Sequence, residues 1–305
     1  MVSPAAELTV APALTAAEVA EVLALAAAAS RADRVAPLGE HVELHLRHGG
    51  DPRERHLLAR TPAGVLVGYA HLDPTDPVAG PAAELVVAPD ARRQGVGAAL
   101  LHRLLELSAG RLRLWAHGSR PGAAALAASA GLTRSRELLQ LRRPLVPPLP
   151  EVVVPEGLLL RTFVPGRDDE AWVALNAEVF ATHPEQGRIT LADLHQRMAE
   201  PWFDPSGFFL AERAGELLGY GWAKVHGEGH PALGELYVLG VSAAARGLGL
   251  GRTLTTAVLQ HVAARGVPTA MLYADADNTP ALRVYTGLGF TVWASDTMFS
   301  TVATG

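Results

Sequence analysis

A short glycine-containing pattern occurs twice in this chain of 305 residues. The pattern Arg-x-x-Gly-x-Gly spans residues 92–97 and returns at 246–251, with the arginine and both glycines at one constant spacing. In each copy an apolar, β-prone run precedes the pattern, and a segment with helical periodicity follows it, at 98–108 or at 253–264. A duplicated domain is the simplest explanation, because similarity at a fixed period marks repeated structural units.

The order of the predicted elements indicates the α/β class. Each copy is predicted to form a strand, a glycine turn and a helix. The second copy continues with a strand at 269–274, a helix around 280–286 and a final strand at 289–293. We therefore predict a mixed sheet with flanking helices in each of two tandem domains.

The length also favours two domains of roughly 150 residues each. Residues 142–157 contain five prolines and no helical periodicity, which is typical of an extended linker. We predict an N-terminal domain at 1–145, a linker at 146–157 and a C-terminal domain at 158–305.

The composition excludes several classes of protein. Hydrophobic residues make up 49% of the chain and charged residues 19%, which is enough apolar material for two cores. The absence of cysteine excludes disulfides, thiolate nucleophiles and cysteine-based zinc sites. A net charge of −5 argues against a nucleic-acid partner, and no apolar run has the length of a membrane span or a cleavable leader. We expect a cytoplasmic monomer that acts on a small or cationic molecule.

Three histidines, His41, His45 and His48, lie at positions i, i+4 and i+7. On a helix they would share one side, and such spacing can bind a metal. The sequence shows no further ligand that converges on them. We therefore interpret them as a solvated histidine face and predict no metal site.

The two glycine turns predict phosphate binding, because a turn at the start of a helix exposes backbone N–H groups beside the positive end of the helix dipole. The Rossmann pattern needs a third glycine where this chain has Leu100 and Leu254, and neither copy contains the Gly-Lys of the Walker pattern. The remaining pattern resembles the pyrophosphate loop of the GNAT superfamily, which holds coenzyme A. The segment 277–290 resembles the GNAT ending, in which an asparagine opens a helix, a tyrosine lies on it and a Gly-Phe strand follows.

The second copy contains candidates for each step of amide formation from a thioester. Glu235 lies on the strand before the loop and is the predicted base, acting directly or through water. Backbone N–H groups of residues 239–241 are predicted to stabilise the oxyanion and to bind the pantetheine arm as an added strand would. Tyr285 is the predicted proton donor to the departing thiolate.

The first copy lacks both side chains. Alignment on the glycine loops places Pro81 opposite Glu235, and alignment on the last strand places Ala127 opposite Tyr285. We therefore predict that the first domain binds acetyl-CoA without turning it over and that the second domain is catalytic.

The second half also resembles mycothiol synthase, a family of tandem GNAT proteins of actinobacteria. The similarity rests on His-Pro-Glu-Gln-Gly at 183–187, Pro-Trp-Phe-Asp-Pro at 201–205, Trp-Ala-Lys-Val-His at 222–226 and the segments 234–241 and 272–278, with a thinner match in the first half. The family transfers acetyl from acetyl-CoA to the cysteinyl amine of Cys-GlcN-Ins, which gives mycothiol and CoA.

The resemblance implies roles for individual residues. Substrate contacts are implied for Glu40, Glu185, Lys224, Glu235 and Tyr273. Contacts to acetyl-CoA in the catalytic domain are implied for Leu239, Gly240, Val241, Arg246, Gly247, Leu248, Gly249, Leu250, Gly251, Arg252, Asn278, Thr279, Pro280, Ala281, Leu282 and Arg283. Contacts to a second coenzyme molecule are implied for Leu85, Val86, Val87, Arg92, Arg93, Gln94, Gly95, Val96 and Gly97.

Alternatives stay open at this point. Glu185 could cap a turn, Lys224 could be a solvated strand residue and Tyr273 could be a buried strand aromatic. The segments 212–218 and 266–270 are shorter than expected for the family. A GNAT enzyme for an aminoglycoside or a peptide amine, or a non-catalytic acetyl-CoA sensor, are the alternative functions.

Overall fold

The computed structural model describes residues 6–181, 186–226 and 232–301. The described residues form two compact units, the first made of residues 6–137 and 295–301 and the second of residues within Leu138–Ala294. No helix in the described part of the chain is long and apolar enough to cross a membrane.

Strands and helices alternate along most of the chain. In chain order they are β1 (Glu7–Ala11), α1 (Ala16–Asp33), α2 (Glu40–His48), β2 (Arg55–Arg60), β3 (Leu66–Asp73), β4 (Ala82–Val87), α3 (Val96–Leu107), β5 (Arg113–Ala116), α4 (Pro121–Ser129), β6 (Thr133–Pro144), β7 (Leu159–Thr162), α5 (Asp169–Val179), α6 (Leu191–Met198), β8 (Phe208–Arg213), β9 (Glu216–His226), β10 (Leu233–Val241), α7 (Leu250–Ala264), β11 (Thr269–Asp275), α8 (Thr279–Gly287) and β12 (Thr291–Ser300).

The two units repeat one strand order. In the first unit β1 to β5 are neighbours in sequence order, and in the second β7 to β11 are. In both, the first four strands pair antiparallel and the fourth and fifth pair parallel. The predicted duplication and the mixed α/β fold are therefore confirmed, and the predicted helix after each glycine turn is α3 or α7.

Strands β6 and β12 are each divided between the units. Residues 138–144 of β6 pair with β11 in the second unit, whereas residues 297–300 of β12 pair with β5 in the first. The units therefore differ from the predicted boundaries of 1–145 and 158–305. The reason is that β6 continues as one strand past residue 137, with Leu141 buried against the second unit's core.

The proline-rich segment 146–157 contains no helix or strand, but it is packed against α7 rather than free. The carbonyl of Val153 accepts a hydrogen bond from Oγ1 of Thr253 at 2.6 Å, and the carbonyl of Pro150 accepts one from Nε2 of Gln260 at 2.7 Å. These bonds attach the segment to the second unit.

In both units the two parallel strands pair only where they begin. Strand β4 pairs with β5 only at Ala82 and Ala83, and β10 pairs with β11 only from Leu233 to Leu236. Beyond these residues the two strands are not paired with each other within the described chain. A gap between the strands therefore forms at the end where α3 or α7 begins.

In each unit helices cover both faces of the strands. Leu100 and Leu104 of α3, Val22 of α1, Leu254 of α7 and Trp172 of α5 are all fully buried. Because burial of one such side chain contributes about 1.5–3 kcal/mol, these helices fix β4 and β10 firmly in place. These two strands carry Glu235 and the candidate residues 85–87 and 239–241.

Candidate active site

The second glycine loop joins β10 to α7. Gly247 and Gly249 have φ of +82° and +77°, in the left-handed region, and Gly249 is the N-cap of α7. A Cβ on Gly247, Gly249 or Gly251 would meet no heavy atom within 4 Å, so the space above the loop is open. The first N–H groups of α7 lack helical partners and lie at the positive end of the dipole, which makes the loop a suitable anion site.

The side chains of the predicted coenzyme residues in this loop differ in their surroundings. Arg246 and Leu248 are exposed, whereas Leu250 is 1% exposed and belongs to the core, so only its backbone faces the loop. Arg252 donates to the carbonyl of Gly287 at 3.4 Å.

Strand β10 presents one unpaired edge beside this loop. Its residues 238–241 pair with β9 on one side, and they have no partner from β11 in the described chain. A Cβ on Gly240 would lie 2.4 Å from the Tyr220 ring, which explains why a glycine is needed there. The other edge of the strand is free to accept an extended ligand as an added strand does.

The start of α8 lies in the exposed part of the same unit. The side chain of Asn278 accepts a hydrogen bond from the N–H of Ala281 at 3.2 Å and so caps α8, which begins with Thr279 and Pro280. Leu282 is half-buried and Arg283 is exposed. The predicted asparagine-capped helix is confirmed, and its coenzyme contacts stay a prediction.

Glu235 is buried on β10 and is held by a histidine. Its side chain is 10% exposed, and its Oε2 lies 2.7 Å from Nε2 of His226. His226 lies on β9, two residues beyond Lys224, which is the register partner of Glu235. The carboxylate is therefore fixed in orientation and has a neighbouring imidazole that can share a proton.

Lys224 is also buried, so its interpretation as a solvated strand residue is wrong. It is 9% exposed, and its Nζ lies 4.6 Å from the ring centroid of Trp202 and 5.3 Å from that of Tyr237. The ammonium is attracted to these ring faces. Trp202 belongs to the Pro-Trp-Phe-Asp-Pro segment, one of the motifs that carry the family resemblance.

A bulge in β10 sets the relation between these residues. The register with β9 shifts between Leu236 and Val238, so Tyr237 is the additional residue. No role was predicted from the sequence for His226, Trp202 or Tyr237. A signal for His226 was present in the sequence. Trp222, Lys224 and His226 are spaced two residues apart on β9, and this spacing places their side chains on one face of the strand.

Tyr285 lies on α8 and is 6% exposed. Its ring meets that of Phe290 edge-on at 6.1 Å, within the apolar core formed by α7, α8 and β11. Burial raises the pKa of Tyr285 to about 12. The phenol therefore stays protonated over the physiological range.

The other predicted substrate residues lie on elements other than β9 and β10. Tyr273 of β11 is 40% exposed and its hydroxyl accepts a hydrogen bond from Nε2 of Gln140 at 2.7 Å, so its interpretation as a core aromatic is wrong. Glu40 is half-buried in the first turn of α2 and belongs to the first unit. Glu185 lies outside the described residues.

The first unit contains an open cavity of about 680 Å³ at its own strand gap. Seven of the predicted coenzyme residues line it: Leu85, Val86, Val87, Arg92, Arg93, Gly95 and Gly97. The other two do not, because Val96 is buried in the core and the side chain of Gln94 donates to the carbonyl of Asp90. Gly95 has φ of +88° and is the N-cap of α3, as Gly249 is of α7.

Arg92 has a structural partner at this cavity. Its guanidinium donates to both carboxylate oxygens of Asp33 at 2.9 and 2.7 Å, and this hydrogen bonding lowers the pKa of Asp33. The Arg92 guanidinium is therefore already paired, whereas backbone N–H groups of the loop and the exposed Arg93 can face a ligand.

A half-buried histidine also lines this cavity. The Nδ1 of His117 lies 3.0 Å from Asp296, and its Nε2 lies 3.5 Å from Glu84. Burial alone would lower the pKa of His117, but the charge of Glu84 and the hydrogen bond of Asp296 outweigh it and raise the pKa to about 10. The imidazole is therefore charged at neutral pH.

The first unit lacks counterparts of the acid and base that are predicted for the second. In the second unit Lys224 of β9 is the register partner of Glu235. The residue of the first unit that corresponds to Lys224 is Asp73 of β3, and its register partner is Ala82, which therefore corresponds to Glu235. The predicted counterpart Pro81 is thus wrong by one residue, because the bulge adds a residue to β10. Ala127, the counterpart of Tyr285, is fully buried in the apolar core.

Comparison with known proteins gives a consistent result. The profile of the "Acetyltransferase (GNAT) family" matches residues 23–132 and 172–290. Two solved structures share the fold. They are a GCN5-related N-acetyltransferase from Sphaerobacter thermophilus (24% identity, TM-score 0.71, 97% of this chain and 96% of that one) and a tandem GNAT protein from the clavulanic acid biosynthesis pathway (23% identity, TM-score 0.72, 98% and 100%).

Curated relatives are similar over nearly the whole chain. The mycothiol acetyltransferase of Acidothermus cellulolyticus is 54% identical, covering 91% of this chain and 89% of the relative. The mycothiol acetyltransferases of Thermomonospora curvata and Streptomyces coelicolor are each 55% identical, covering 94% and 92% of this chain and 94% and 90% of the relatives. The chain therefore belongs to the GNAT family of acetyltransferases and, within it, to the mycothiol acetyltransferases.

Proposed function

We propose that the second unit transfers the acetyl group of acetyl-CoA to the cysteinyl amine of Cys-GlcN-Ins, which gives mycothiol and CoA. The names of the curated relatives support this product. The observation that carries the proposal is the buried carboxylate of Glu235. Glu235 lies on β10, the strand that leads to the open glycine loop, and its carboxylate is hydrogen-bonded to His226 of β9.

The residues around the loop fit a coenzyme with a pyrophosphate and an amide-containing arm. The open left-handed backbone at Gly247 and Gly249 provides N–H groups for the pyrophosphate, and the unpaired edge of β10 provides partners for the arm. When bound, acetyl-CoA supplies an activated acyl group. Residues 239–241, 246–252 and 278–283 are its proposed contacts.

Glu235 accepts the proton of the substrate ammonium, directly or through one water. His226 orients the carboxylate and can share the proton. Backbone N–H groups at the unpaired edge of β10 stabilise the negative charge that develops on the acetyl oxygen. Glu40, Glu185, Lys224 and Tyr273 are the further proposed contacts to a substrate that carries one ammonium and many hydroxyls.

Tyr285 donates a hydrogen bond to the departing thiolate. Its pKa of about 12 lies well above the thiol value of about 8.5, so complete transfer to a free thiolate is uphill by about 5 kcal/mol. This cost is larger than an ordinary tyrosine pKa implies. The raised pKa therefore favours stabilisation by a hydrogen bond while the C–S bond breaks, with the proton of the thiol supplied finally by solvent.

In the first unit, we propose that the cavity of about 680 Å³ binds a second acetyl-CoA without turning it over. Ala82 and Ala127 stand where the second unit has its proposed base and acid. The first unit then contributes binding and stability rather than catalysis.

The test is thiol release from acetyl-CoA with Cys-GlcN-Ins, aminoglycosides, free cysteine and peptide amines as acceptors. We expect strong preference for Cys-GlcN-Ins, and a loss of about 10²–10⁴ in kcat in Glu235→Gln. Glu216→Gln, which changes an exposed glutamate of the same unit, serves as the matched control and should keep full activity. Preference for another amine would overturn the substrate, and full activity of Glu235→Gln would overturn the base.

A further inference from the structure

A buried carboxylate in the first unit is surrounded by histidines that have no part in the proposed reaction. Glu54 precedes β2 and is fully buried. Its Oε1 lies 2.6 Å from Nδ1 of His45, and its Oε2 lies 3.0 Å from Nε2 of His71. The ring of His56 lies 5.3 Å from that of His71. The cluster joins α2, β2 and β3.

Helix α2 presents two of these histidines on successive turns. The ring centroids of His41 and His45 are 3.9 Å apart, and their side chains are 52% and 13% exposed. One ligand atom from each of His41, His45 and Glu54 lies within 4.8 Å of the others. The interpretation as a solvated histidine face is therefore wrong for His45. It failed because Glu54, the converging ligand, comes from the turn that follows the helix.

We propose that His41, His45 and Glu54 form a binding site for a divalent transition-metal ion of the zinc type. Imidazole nitrogen and carboxylate oxygen are the ligands that zinc takes, at 2.0–2.2 Å. Tetrahedral geometry with such bonds places ligand atoms about 3.3 Å apart. The contact between His45 and Glu54 therefore opens by less than about 1 Å to admit the ion.

Outer contacts hold two of the ligands in place. His71 binds the second oxygen of Glu54, and Oδ2 of Asp73 lies 3.3 Å from Nε2 of His41. Such outer contacts orient ligating carboxylates and histidines in metal sites. Because His41 is half-exposed, the ion can enter from solvent, and a water completes the coordination.

The fold itself does not require polar residues in this place. His56 and His71 form one register pair of β2 and β3, and the equivalent pair of β8 and β9 is Phe208 and Trp222. An aromatic core thus suffices in the second unit. The polar cluster is a feature of the first unit alone among the described residues, and the ion gives it a function: it ties α2 to the turn before β2.

The test uses the tag-free full chain, freed of metal by a chelator, and titrates it with Zn²⁺ by calorimetry. We expect one ion per chain and a rise of about 5–10 °C in the melting temperature of the first unit at 100-fold excess over Kd. The His41→Ala variant, in which an exposed side chain is shortened, should fold and should lose at least about tenfold in affinity. Glu54→Gln should lose more.

The matched control is His102→Ala, which removes an exposed histidine of α3 in the same unit. Its zinc affinity should equal that of the unchanged chain. The proposal is overturned if the unchanged chain binds no zinc stoichiometrically. It is equally overturned if His41→Ala, shown to be folded by circular dichroism, binds zinc as tightly as His102→Ala.

Discussion

One register pair of the sheet carries opposite chemistry in the two units. In the first unit His56 lies opposite His71, and Glu54 binds His71. In the second unit Phe208 lies opposite Trp222, and the two rings stack with centroids 4.4 Å apart. A buried polar group is tolerated when it is hydrogen-bonded, and an aromatic cluster is stable when no unpaired polar group is buried within it. The same pair of strands therefore accepts either a polar or an aromatic pair, provided that the neighbouring residues are of the matching kind.

The proposed catalytic difference between the units is smaller. It consists of one bulge in β10 and of the proposed base and acid, Glu235 and Tyr285, where the first unit has Ala82 and Ala127. The glycine turns, with left-handed residues at the helix N-cap, are present in both. We therefore expect coenzyme binding and chemistry to be separable on this fold.

The largest expected effect comes from placing the first unit's residue in the second. In Trp222→His an imidazole replaces a fully buried indole that packs on Phe208 and Trp172. We expect a loss of about 3–5 kcal/mol in the free energy of unfolding of the second unit, because a cavity forms and a polar ring is buried among aromatics. Urea denaturation followed by tryptophan fluorescence measures it.

Trp293→His is the matched control, since Trp293 lies in the same unit and is 66% exposed. It should change the free energy of unfolding by less than about 1 kcal/mol. Equal effects of the two variants would contradict the view that the aromatic cluster at Trp222 stabilises the second unit.

A second prediction concerns pH and the first unit. The pKa of His117 is raised to about 10, above the value of about 6.5 in an unfolded chain. Its stabilising effect is therefore complete below pH 6.5 and is lost as the pH rises to 10. We expect the first unit to lose on the order of 2–4 kcal/mol over this window, and His117→Gln to lack this part of the loss. Denaturant titrations at a series of pH values measure both.

The result is informative in either direction. Parallel pH profiles for the unchanged chain and His117→Gln would show that Glu84 and Asp296 do not hold a charged imidazole. The second unit has Asp275 at the equivalent position, paired in β11 with Leu138, so its stability should not follow the same window.

Tyr285→Phe tests the proposed hydrogen bond from the phenol to the departing thiolate. The phenylalanine keeps the ring in the core and removes only the hydroxyl, so we expect kcat to fall about 10–100-fold while KM for acetyl-CoA stays nearly unchanged. Because the pKa of Tyr285 is about 12, activity should show no decrease from tyrosine ionisation below pH 10. An unchanged kcat would remove Tyr285 from the mechanism.

The repeated pattern was sufficient to predict the fold. Two glycine turns between strand and helix, at one constant spacing, predicted duplicated α/β domains, and both turns adopt the left-handed backbone at the helix start. The division of β6 and β12 between the two units was not predictable, because the partners of a strand depend on tertiary pairing, which the strand's own sequence does not contain. For the same reason the predicted boundary at 145 differs from the division after Glu137.

Motifs in the sequence propose individual site residues but do not contain their surroundings. Glu235 and Lys224 were predicted from motifs, but their burial and their contacts to His226 and Trp202 depend on neighbouring strands and loops. The counterpart of Glu235 was misplaced by one residue because a bulge leaves no mark in a constant spacing. Long-range convergence, as at Glu54, is what a linear pattern does not contain.

The smallest effect on turnover is expected at the first glycine turn. Gly95 and Gly249 have nearly the same positive φ, and a Cβ at either position would stand in open space, so valine there strains the backbone by about 1–3 kcal/mol without a steric clash. We expect Gly249→Val to raise KM for acetyl-CoA by about tenfold and Gly95→Val to leave kcat and KM within about twofold, as steady-state kinetics would measure. Gly95→Val should instead weaken coenzyme binding to the first unit, measured by calorimetry. If a folded Gly95→Val variant lost turnover as Gly249→Val does, the first cavity would be part of the catalytic cycle and the division of labour between the units would be wrong.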